Sequence, residues 1–275
     1  MPQRFIIPLP KPGPYLLGPD SQRQPGVPHG IVTQQEWRST IFPGTIRNYW
    51  VYVPAQFTPD QPATVMVFQD GGGYVSETGD TRVPIVFDNL IHQGRLPVTI
   101  GIFIDSGRFP PVAAGTEPVS NRSFEYDTLS DQYVRFLLEE ILPAVSAKYL
   151  LTTDPDRRAI GGASSGGICA FTAAWQRPDA FRKVLSHVGS FADIRGGHVY
   201  PFLVRKTPRK PIRVYLQAGA NDLDRDWGDW ALASLAMASA FNFAGYDYHL
   251  EYGDGEHNTI HAGAILPESL AWLWR

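Results

Sequence analysis

Two kinds of apolar run alternate along most of this chain. Short apolar segments predict strands at residues 47–53, 64–69, 98–104, 183–188, 212–217 and 248–252, and the continuous apolar runs at 64–69 and 98–104 predict burial on both faces. Longer runs, with apolar positions three and four apart, predict helices at residues 83–93, 129–149, 230–244 and 262–274. Pro143 predicts a kink in the second of these helices. This alternation, without repeats or linkers, predicts one α/β domain with a mostly parallel central sheet and helices on both faces.

The first 44 residues differ from the rest because they are rich in proline and glycine. We expect residues 1–44 to form an extended arm packed on the domain, which leaves 45–275 as the α/β domain. The apolar run at the start is short and broken by prolines, so it does not resemble a secretion signal. The default expectation is therefore a cytoplasmic protein, with a mature secreted or periplasmic form as the alternative.

Composition narrows the classes of partner. The formal net charge of −3 provides no excess of basic residues, so we do not expect a nucleic-acid partner. No apolar run approaches the length of a membrane span, so no membrane partner is expected. Cys169 is the single cysteine and cannot form an internal disulfide, so we expect it to be a small buried apolar residue. The oligomeric state stays open.

The most informative motif is Gly162-Ala163-Ser164-Ser165-Gly166, which fits G-x-S-x-G. A short apolar run precedes it, and an unbroken helical run follows it as far as Pro178. This context is typical of a serine at a sharp strand-to-helix turn, where only small neighbours fit. Ser164 is the predicted nucleophile, and Ser165 is the alternative in a shifted frame.

A serine nucleophile needs a base, which in this motif's usual chain order follows the serine and the acid. His257 lies in a polar loop between the last predicted strand and the last predicted helix, which makes it the best candidate. His261 is the runner-up. The two histidines resemble a metal-binding pair, but Glu256 precedes His257, so the H-E-x-x-H motif is absent. No metal is predicted.

The acid is expected in the loop after the strand at 212–217. Asp222 comes first after the turn and is the chosen partner of the histidine, with Asp224 and Asp226 as alternatives. The spacing of the three aspartates also suggests a calcium loop. That template fails because Trp227 stands where glycine is required.

Two backbone N–H groups are needed to stabilise the oxyanion of an acyl-transfer reaction. Ser165 would supply the first, because it follows the nucleophile. Residues 71–73 are three glycines directly after the strand at 64–69, and they let the backbone approach a substrate closely. A phosphate-binding loop is the competing interpretation, but no Lys-Ser/Thr pair follows the glycines.

These loops, taken in order, resemble the esterase D-like α/β-hydrolases. The residues that carry the resemblance are 69–73, 162–167, 221–222 and 255–257, and residues 121–127 and 271–274 resemble enterochelin esterase-like sequences. That group includes enterochelin esterases and the feruloyl and acetylxylan esterases of carbohydrate esterase family 1. The resemblance covers about residues 45–275. The chain departs from the family at Glu256, where the usual loop has Gly-Gly-His.

The resemblance implies an α/β-hydrolase domain without a large cap and a serine esterase that forms an acyl-enzyme without a cofactor. It also implies that Gly72 is the second oxyanion donor. The expected substrates are small-molecule or oligosaccharide esters, such as feruloyl or acetyl esters linked to carbohydrate. A siderophore trilactone, acyl transfer on the same triad and a silent carbohydrate-binding scaffold are the alternatives.

Several further residues are candidates to contact the substrate. Tyr74, Trp227 and His261 would line the pocket, with core packing as the competing interpretation for the aromatic residues. Arg122 and Glu125 would contact polar groups of the substrate, or would pair with each other.

Overall fold

The strands and helices are defined in a computed structural model that describes residues 4–111 and 115–275. The strands are β1 Ile31–Arg38, β2 Ile46–Val53, β3 Thr64–Gln69, β4 Thr99–Ile104, β5 Arg108–Phe109, β6 Val119–Ser120, β7 Arg158–Ala163, β8 Lys183–His187, β9 Arg213–Gly219, β10 Asp224–Arg225, β11 Gly228–Asp229 and β12 Asp247–Gly253. The helices are α1 Gly71–Val75, α2 Val83–His92, α3 Arg122–Asp127, α4 Gln132–Phe136, α5 Leu142–Ser146, α6 Ser165–Gln176, α7 Tyr200–Lys206, α8 Trp230–Ala244 and α9 Ile260–Trp274.

The central sheet is mostly parallel, as predicted. Its strand order is β12-β9-β8-β7-β3-β4-β2-β5-β6, and β1 also pairs with β2. The strands from β12 to β4 run parallel to one another, whereas β2 is antiparallel to β4. The six predicted strands are all present, and their ends differ from the prediction by at most two residues.

The continuous apolar runs arise because the sheet is buried on both faces. Along β3, Val65 and Val67 belong to one hydrophobic cluster, whereas Met66 and Phe68 belong to the other. Residues of α2 and α9 complete the second cluster, and residues of α4 to α8 complete the first. This arrangement confirms helices on both faces. Within the described residues, no helical subdomain is inserted over the carboxyl edge of the parallel strands.

The predicted helix over 129–149 is interrupted where Pro143 predicts a kink. A π-helical turn, Leu137–Ile141, separates α4 from α5. Proline has no N–H to donate, and its ring collides with the carbonyl four residues earlier. A widened turn just before the proline relieves this conflict.

The N-terminal arm contains a strand that the sequence analysis missed. β1 pairs antiparallel with β2 over its whole length, from Ile31 opposite Val53 to Arg38 opposite Ile46. The sheet therefore begins inside the segment predicted to be an arm, and the boundary at residue 45 separates two paired strands. The strand is largely exposed, so it lacks an apolar run. The first three residues of the predicted arm lie outside the described residues.

Other parts of the N-terminal segment contact α2. The Asn89 side chain donates to the carbonyl oxygens of Asp20 and Gln22, at 2.9 and 2.8 Å. Asp88 accepts from the Gly30 N–H at 2.8 Å and pairs with Arg23. These contacts fix the arm to α2. In the part of the chain that the structure describes, no helix is long and apolar enough to cross a membrane.

Candidate active site

Ser164 occupies the sharp turn between β7 and α6. Its φ of 59° and ψ of −124° are rarely adopted by residues with a side chain. Two backbone hydrogen bonds fix this conformation. The Ser164 N–H donates to the His187 carbonyl at 2.9 Å, and the Ser190 N–H donates to the Ser164 carbonyl at 3.0 Å. The turn lifts the hydroxyl to the carboxyl edge of the parallel strands.

The glycines of the motif are required by the closeness of strand and helix. A Cβ atom on Gly162 would lie 2.6 Å from the backbone of Gly166. A Cβ atom on Gly166 would lie 3.1 Å from the Gln69 Cβ atom and 3.2 Å from Asp70 Oδ2. The G-x-S-x-G pattern therefore records a steric constraint at this turn.

His257 and Asp222 complete a hydrogen-bonded chain with Ser164. The His257 Nε2 atom lies 2.8 Å from Ser164 Oγ, and the Nδ1 atom lies 2.5 Å from Asp222 Oδ1. An ionised carboxylate can only accept, so Nδ1 carries the proton in this pair. The Nε2 lone pair then faces the serine hydroxyl, which is the arrangement a general base requires.

The structure selects Asp222 from the three aspartates of its loop. The Asp222 carboxylate is completely buried, and its Oδ1 atom also accepts from the Leu223 N–H at 2.7 Å. Its Oδ2 atom has no hydrogen-bond partner among the described residues. Asp224 and Asp226 are exposed, at and beside β10, and neither contacts His257.

The acid and base loops are joined because β9 and β12 are parallel neighbours. Gly219 and Gly253 lie opposite each other at the ends of these strands. Beyond them, the Asn221 N–H donates to the Gly255 carbonyl at 3.1 Å. The Asn221 side chain donates to the Asp254 carbonyl at 2.7 Å. The two loops therefore hold each other in position.

The two predicted oxyanion donors, Ser165 and Gly72, have different contacts in the structure. Ser165 begins α6, and its hydroxyl is hydrogen-bonded to Asp127, away from His257. Ser164 is thus the serine that meets the base. The Gly72 N–H was expected to face the oxyanion, but it donates to Asp105 Oδ1 at 3.0 Å. Burial raises the pKa of Asp105. The Gly72 donor is therefore occupied by a carboxyl group in this structure.

A cleft of about 300 Å³ opens beside Ser164 and His257. Tyr74, Arg122 and Asp70 line it, and the first two are candidate substrate contacts of the sequence analysis. Arg122 is held by a two-pronged pair with Asp70, with Nε and Nη2 at 2.8 and 2.7 Å from the two carboxylate oxygens. The other lining residues are Gly73, Thr81, Ala163, Val188, Asn258 and Thr259.

Three predicted substrate contacts are not part of this cleft. Glu125 is completely buried and pairs with Arg47 at 2.5 Å, so it is a structural ion pair. Trp227 lies exposed in the turn between β10 and β11. His261 is buried in α9, where its ring stacks on Tyr15 at 3.8 Å. Sequence proximity to the motifs suggested these residues, but their side chains point elsewhere.

The sequence analysis missed Ser190, which lies beside Ser164. Its Oγ atom lies 3.2 Å from Ser164 Oγ and accepts from the Trp230 indole N–H at 3.0 Å. The Trp230 ring also meets the His257 ring at 5.9 Å, edge to face. Ser190 follows β8 at the same sheet edge as Ser164, which is the signal that could have found it.

His257 and His261, which resemble a metal-binding pair in the sequence, do not form a metal centre. Across residues 4–111 and 115–275, no group of three histidine, cysteine, aspartate or glutamate side chains could hold a metal ion. His257 faces Ser164, whereas His261 faces Gln217.

A serine at a strand-to-helix turn of a mostly parallel sheet, paired with histidine and aspartate from later loops, defines the α/β-hydrolase class. The model of the family described as "Putative esterase" matches residues 42–271. The chain therefore belongs to this family.

Relatives and solved structures agree with this assignment. The iron(III) enterobactin esterase of Dickeya dadantii is 24% identical over 274 residues, which cover 94% of this chain and 56% of the relative. The corresponding enzyme of Escherichia coli K12 is 25% identical over 218 residues, which cover 76% of this chain and 49% of the relative. The chain thus spans about half the length of these relatives.

The structural neighbours share the fold. The enterobactin esterase of Shigella flexneri, crystallised in the presence of enterobactin, has a TM-score of 0.72 and 22% identity. That comparison covers 95% of this chain and 62% of the neighbour. A CE1 ferulic acid esterase from Anaeromyces mucronatus, in complex with ferulic acid, has a TM-score of 0.68 and 14% identity. That comparison covers 93% of this chain and 94% of the neighbour.

Proposed function

We propose that this chain hydrolyses carboxylic esters through an acyl-enzyme formed on Ser164. The observation that carries the proposal is the hydrogen-bonded chain from Ser164 through His257 to Asp222, which opens on the cleft. A serine hydroxyl becomes a nucleophile only when a positioned base removes its proton. His257 Nε2 is at the distance that this transfer requires.

The reaction follows from this geometry. His257 takes the Ser164 proton as Oγ attacks the ester carbonyl, and the buried Asp222 carboxylate stabilises the imidazolium that forms. His257 then protonates the departing alcohol. A water molecule, deprotonated by the same histidine, releases the acid and restores the serine.

The oxyanion requires backbone donors near Ser164. The Ser165 N–H is proposed as one donor because it follows the nucleophile at the start of α6. Gly72 could act as the second only after its N–H leaves Asp105. The carboxyl group of Asp105 therefore competes with the oxyanion for this donor.

The proposed substrates are acyl esters linked to carbohydrate, such as feruloyl or acetyl esters. The cleft of about 300 Å³ is at the small end of ligand pockets, and it combines the aromatic Tyr74 with the charged Arg122. The structural likeness to a ferulic acid esterase supports this class. The absence of a helical cap in the described residues leaves room for a bulky leaving group.

A siderophore trilactone of the enterobactin type is the second candidate. The observation in its favour is that iron(III) enterobactin esterases are among the relatives of this chain, and one of them aligns with 94% of it. Both candidates are esters that the same serine would attack, so only the cleft and its surroundings distinguish them.

Initial rates on methyl ferulate, acetylated xylan, p-nitrophenyl acetate and enterobactin test the proposal. We expect hydrolysis of at least one ester, and its loss in Ser164→Ala. Ser146→Ala, on the exposed side of α5, is the matched control and should be unchanged. A folded wild-type protein that cleaves none of these esters, and that a fluorophosphonate does not label, would contradict it. Acyl transfer to added sugar in preference to water would identify a transferase instead.

A further inference from the structure

The N-terminal arm reaches the loop that carries the catalytic histidine. At the end of β12, the Lys11 N–H donates to the Tyr252 carbonyl at 2.9 Å. The Asp254 N–H donates to the Lys11 carbonyl, also at 2.9 Å. These bonds form a short parallel bridge between Lys11 and Gly253. The arm therefore continues the sheet edge at the point where the base loop begins.

Tyr15 makes the most direct contact with that loop. Its hydroxyl lies 2.8 Å from both the Asp254 N–H and the Asp254 Oδ1 atom. The Gly13 N–H also donates to Asp254 Oδ1, at 3.0 Å. Burial, followed by the Asp254 carboxylate, raises the pKa of Tyr15 to about 12, so the phenol keeps the proton that it donates.

The Tyr15 ring is fixed by close packing. It stacks on the His261 ring with a centroid distance of 3.8 Å and an angle of 15° between the planes. A Cβ atom on Gly253 would lie 2.1 Å from the Tyr15 hydroxyl and 2.5 Å from the His261 ring. Glycine at position 253 is therefore what allows the tyrosine to approach the loop.

Asp254 connects this contact to both partners of the nucleophile. It lies three residues before His257. Its carbonyl accepts from the Asn221 side chain at 2.7 Å, and Asn221 immediately precedes Asp222. The arm, the base loop and the acid loop thus meet at one residue.

We propose that Tyr15 is a positioning residue, which holds Asp254 so that His257 and Asp222 keep the geometry needed to activate Ser164. The inference rests on the proposed function. The base lies on a loop between β12 and α9, so its placement depends on such contacts. A displacement of about 1 Å in a catalytic group can cost on the order of 100-fold in rate.

Tyr15→Phe tests the proposal because it removes the hydroxyl and keeps the ring that stacks on His261. We expect kcat to fall on the order of tenfold while KM stays within about twofold, since Tyr74 and Arg122, which line the cleft from other elements, are not displaced with the loop. The rate at which a fluorophosphonate labels Ser164 should fall by the same factor. This probe reports on the nucleophile without reference to a substrate.

Tyr246→Phe is the matched control. The Tyr246 hydroxyl likewise accepts from a backbone N–H, that of Lys210 at 3.0 Å, but it lies just before β12, at the opposite end of that strand. We expect Tyr246→Phe to lose as much stability as Tyr15→Phe and to keep the wild-type kcat.

The low-field proton NMR signal of the His257 Nδ1–H separates positioning from a purely structural role. We expect this signal to shift or broaden in Tyr15→Phe and to stay unchanged in Tyr246→Phe. A kcat for Tyr15→Phe within twofold of the Tyr246→Phe value would overturn the proposal. Wild-type protein that neither cleaves esters nor is labelled at Ser164 would instead show that the proposed function has failed.

Discussion

Two charged pairs in this molecule resemble each other in chemistry and differ in their access to the cleft. Arg47 and Glu125 form a closed pair, because neither has exposed side-chain surface and Glu125 accepts from both terminal guanidinium nitrogens and from Asn121. His257 and Asp222 form an open pair, because they are as close but His257 is partly exposed and lines the cleft. Each pair contains one buried atom without a hydrogen-bond partner among the described residues, Arg47 Nε in the first and Asp222 Oδ2 in the second.

The difference separates a structural pair from one that can take part in the proposed reaction. A pair that is buried on all sides fixes the surrounding chain and offers nothing to a ligand. In the open pair, the buried Asp222 carboxylate can stabilise a positive charge on His257, which faces Ser164 and the cleft. The closed pair instead joins β2 to α3 and does not line the cleft.

Asp222→Asn should have the largest effect. The amide would present an N–H to His257 Nδ1, so the histidine would hold the wrong tautomer and could not accept the serine proton. We expect kcat to fall on the order of 10⁴-fold in ester-hydrolysis assays. Asp224→Asn, in the exposed hairpin of the same loop, should retain full activity. Equal losses in the two variants would mean that the acid is not selected by its contact with His257.

Breaking the closed pair should instead affect stability. Glu125→Gln leaves the Arg47 guanidinium buried without a counter-charge, and we expect a loss of about 3–5 kcal/mol in the free energy of unfolding. Urea denaturation measures this change. The double variant Arg47→Met/Glu125→Leu should be less destabilised than Glu125→Gln, because no buried charge remains. A single variant as stable as wild type would contradict our description of this pair.

His187, whose carbonyl accepts from the Ser164 N–H, should make the free energy of unfolding depend on pH. Burial, with a smaller contribution from His261, lowers the pKa of His187 from 6.5 to about 3. Between these values the unfolded chain binds a proton that the folded chain refuses, so stability is complete above pH 6.5 and falls as the pH drops toward 3.

The expected slope from His187 is up to about 1.4 kcal/mol per pH unit in that interval. His187→Gln can still bond the Tyr74 hydroxyl but does not titrate. Its free energy of unfolding should therefore depend less steeply on pH, as measured by urea denaturation from pH 7 to pH 4. Parallel pH curves for the two proteins would mean that His187 is protonated equally in both states.

Ser190→Ala should have the smallest effect. It removes the hydroxyl that lies 3.2 Å from Ser164 Oγ and that accepts from the Trp230 indole. The loss of one such hydrogen bond is worth about 1 kcal/mol, so we expect kcat to fall about fivefold. Rates on the best ester measure this, with Ser146→Ala as the control. A loss as large as that of Asp222→Asn would place Ser190 in the reacting chain itself.

The secondary structure followed from the sequence wherever the environment was uniform. β3 and β4 are buried on both faces and follow continuous apolar runs, and α8 matches its prediction at both ends. β1 was missed because an exposed strand is stabilised by backbone pairing, which leaves no apolar pattern. The predicted fold class was confirmed, whereas the boundary at residue 45 cut through a paired region of the sheet.

The candidate site shows the same division. The positions of Ser164, Asp222 and His257 could be predicted because each follows a strand that ends at the same sheet edge. The contacts of Gly72, Glu125 and His261 could not be predicted, because their partners lie far away in the chain. Their partners are Asp105, Arg47 and Tyr15.

The sequence by itself determined the order of buried strands and helices and the sharp turn at Ser164, since burial periodicity and the small residues of that turn are local properties. Only the tertiary structure decided which aspartate meets His257, where the Gly72 N–H is directed, and how Tyr15 reaches the base loop. These contacts join residues that are distant along the chain, and their energies depend on distances of a few ångströms that no local pattern encodes.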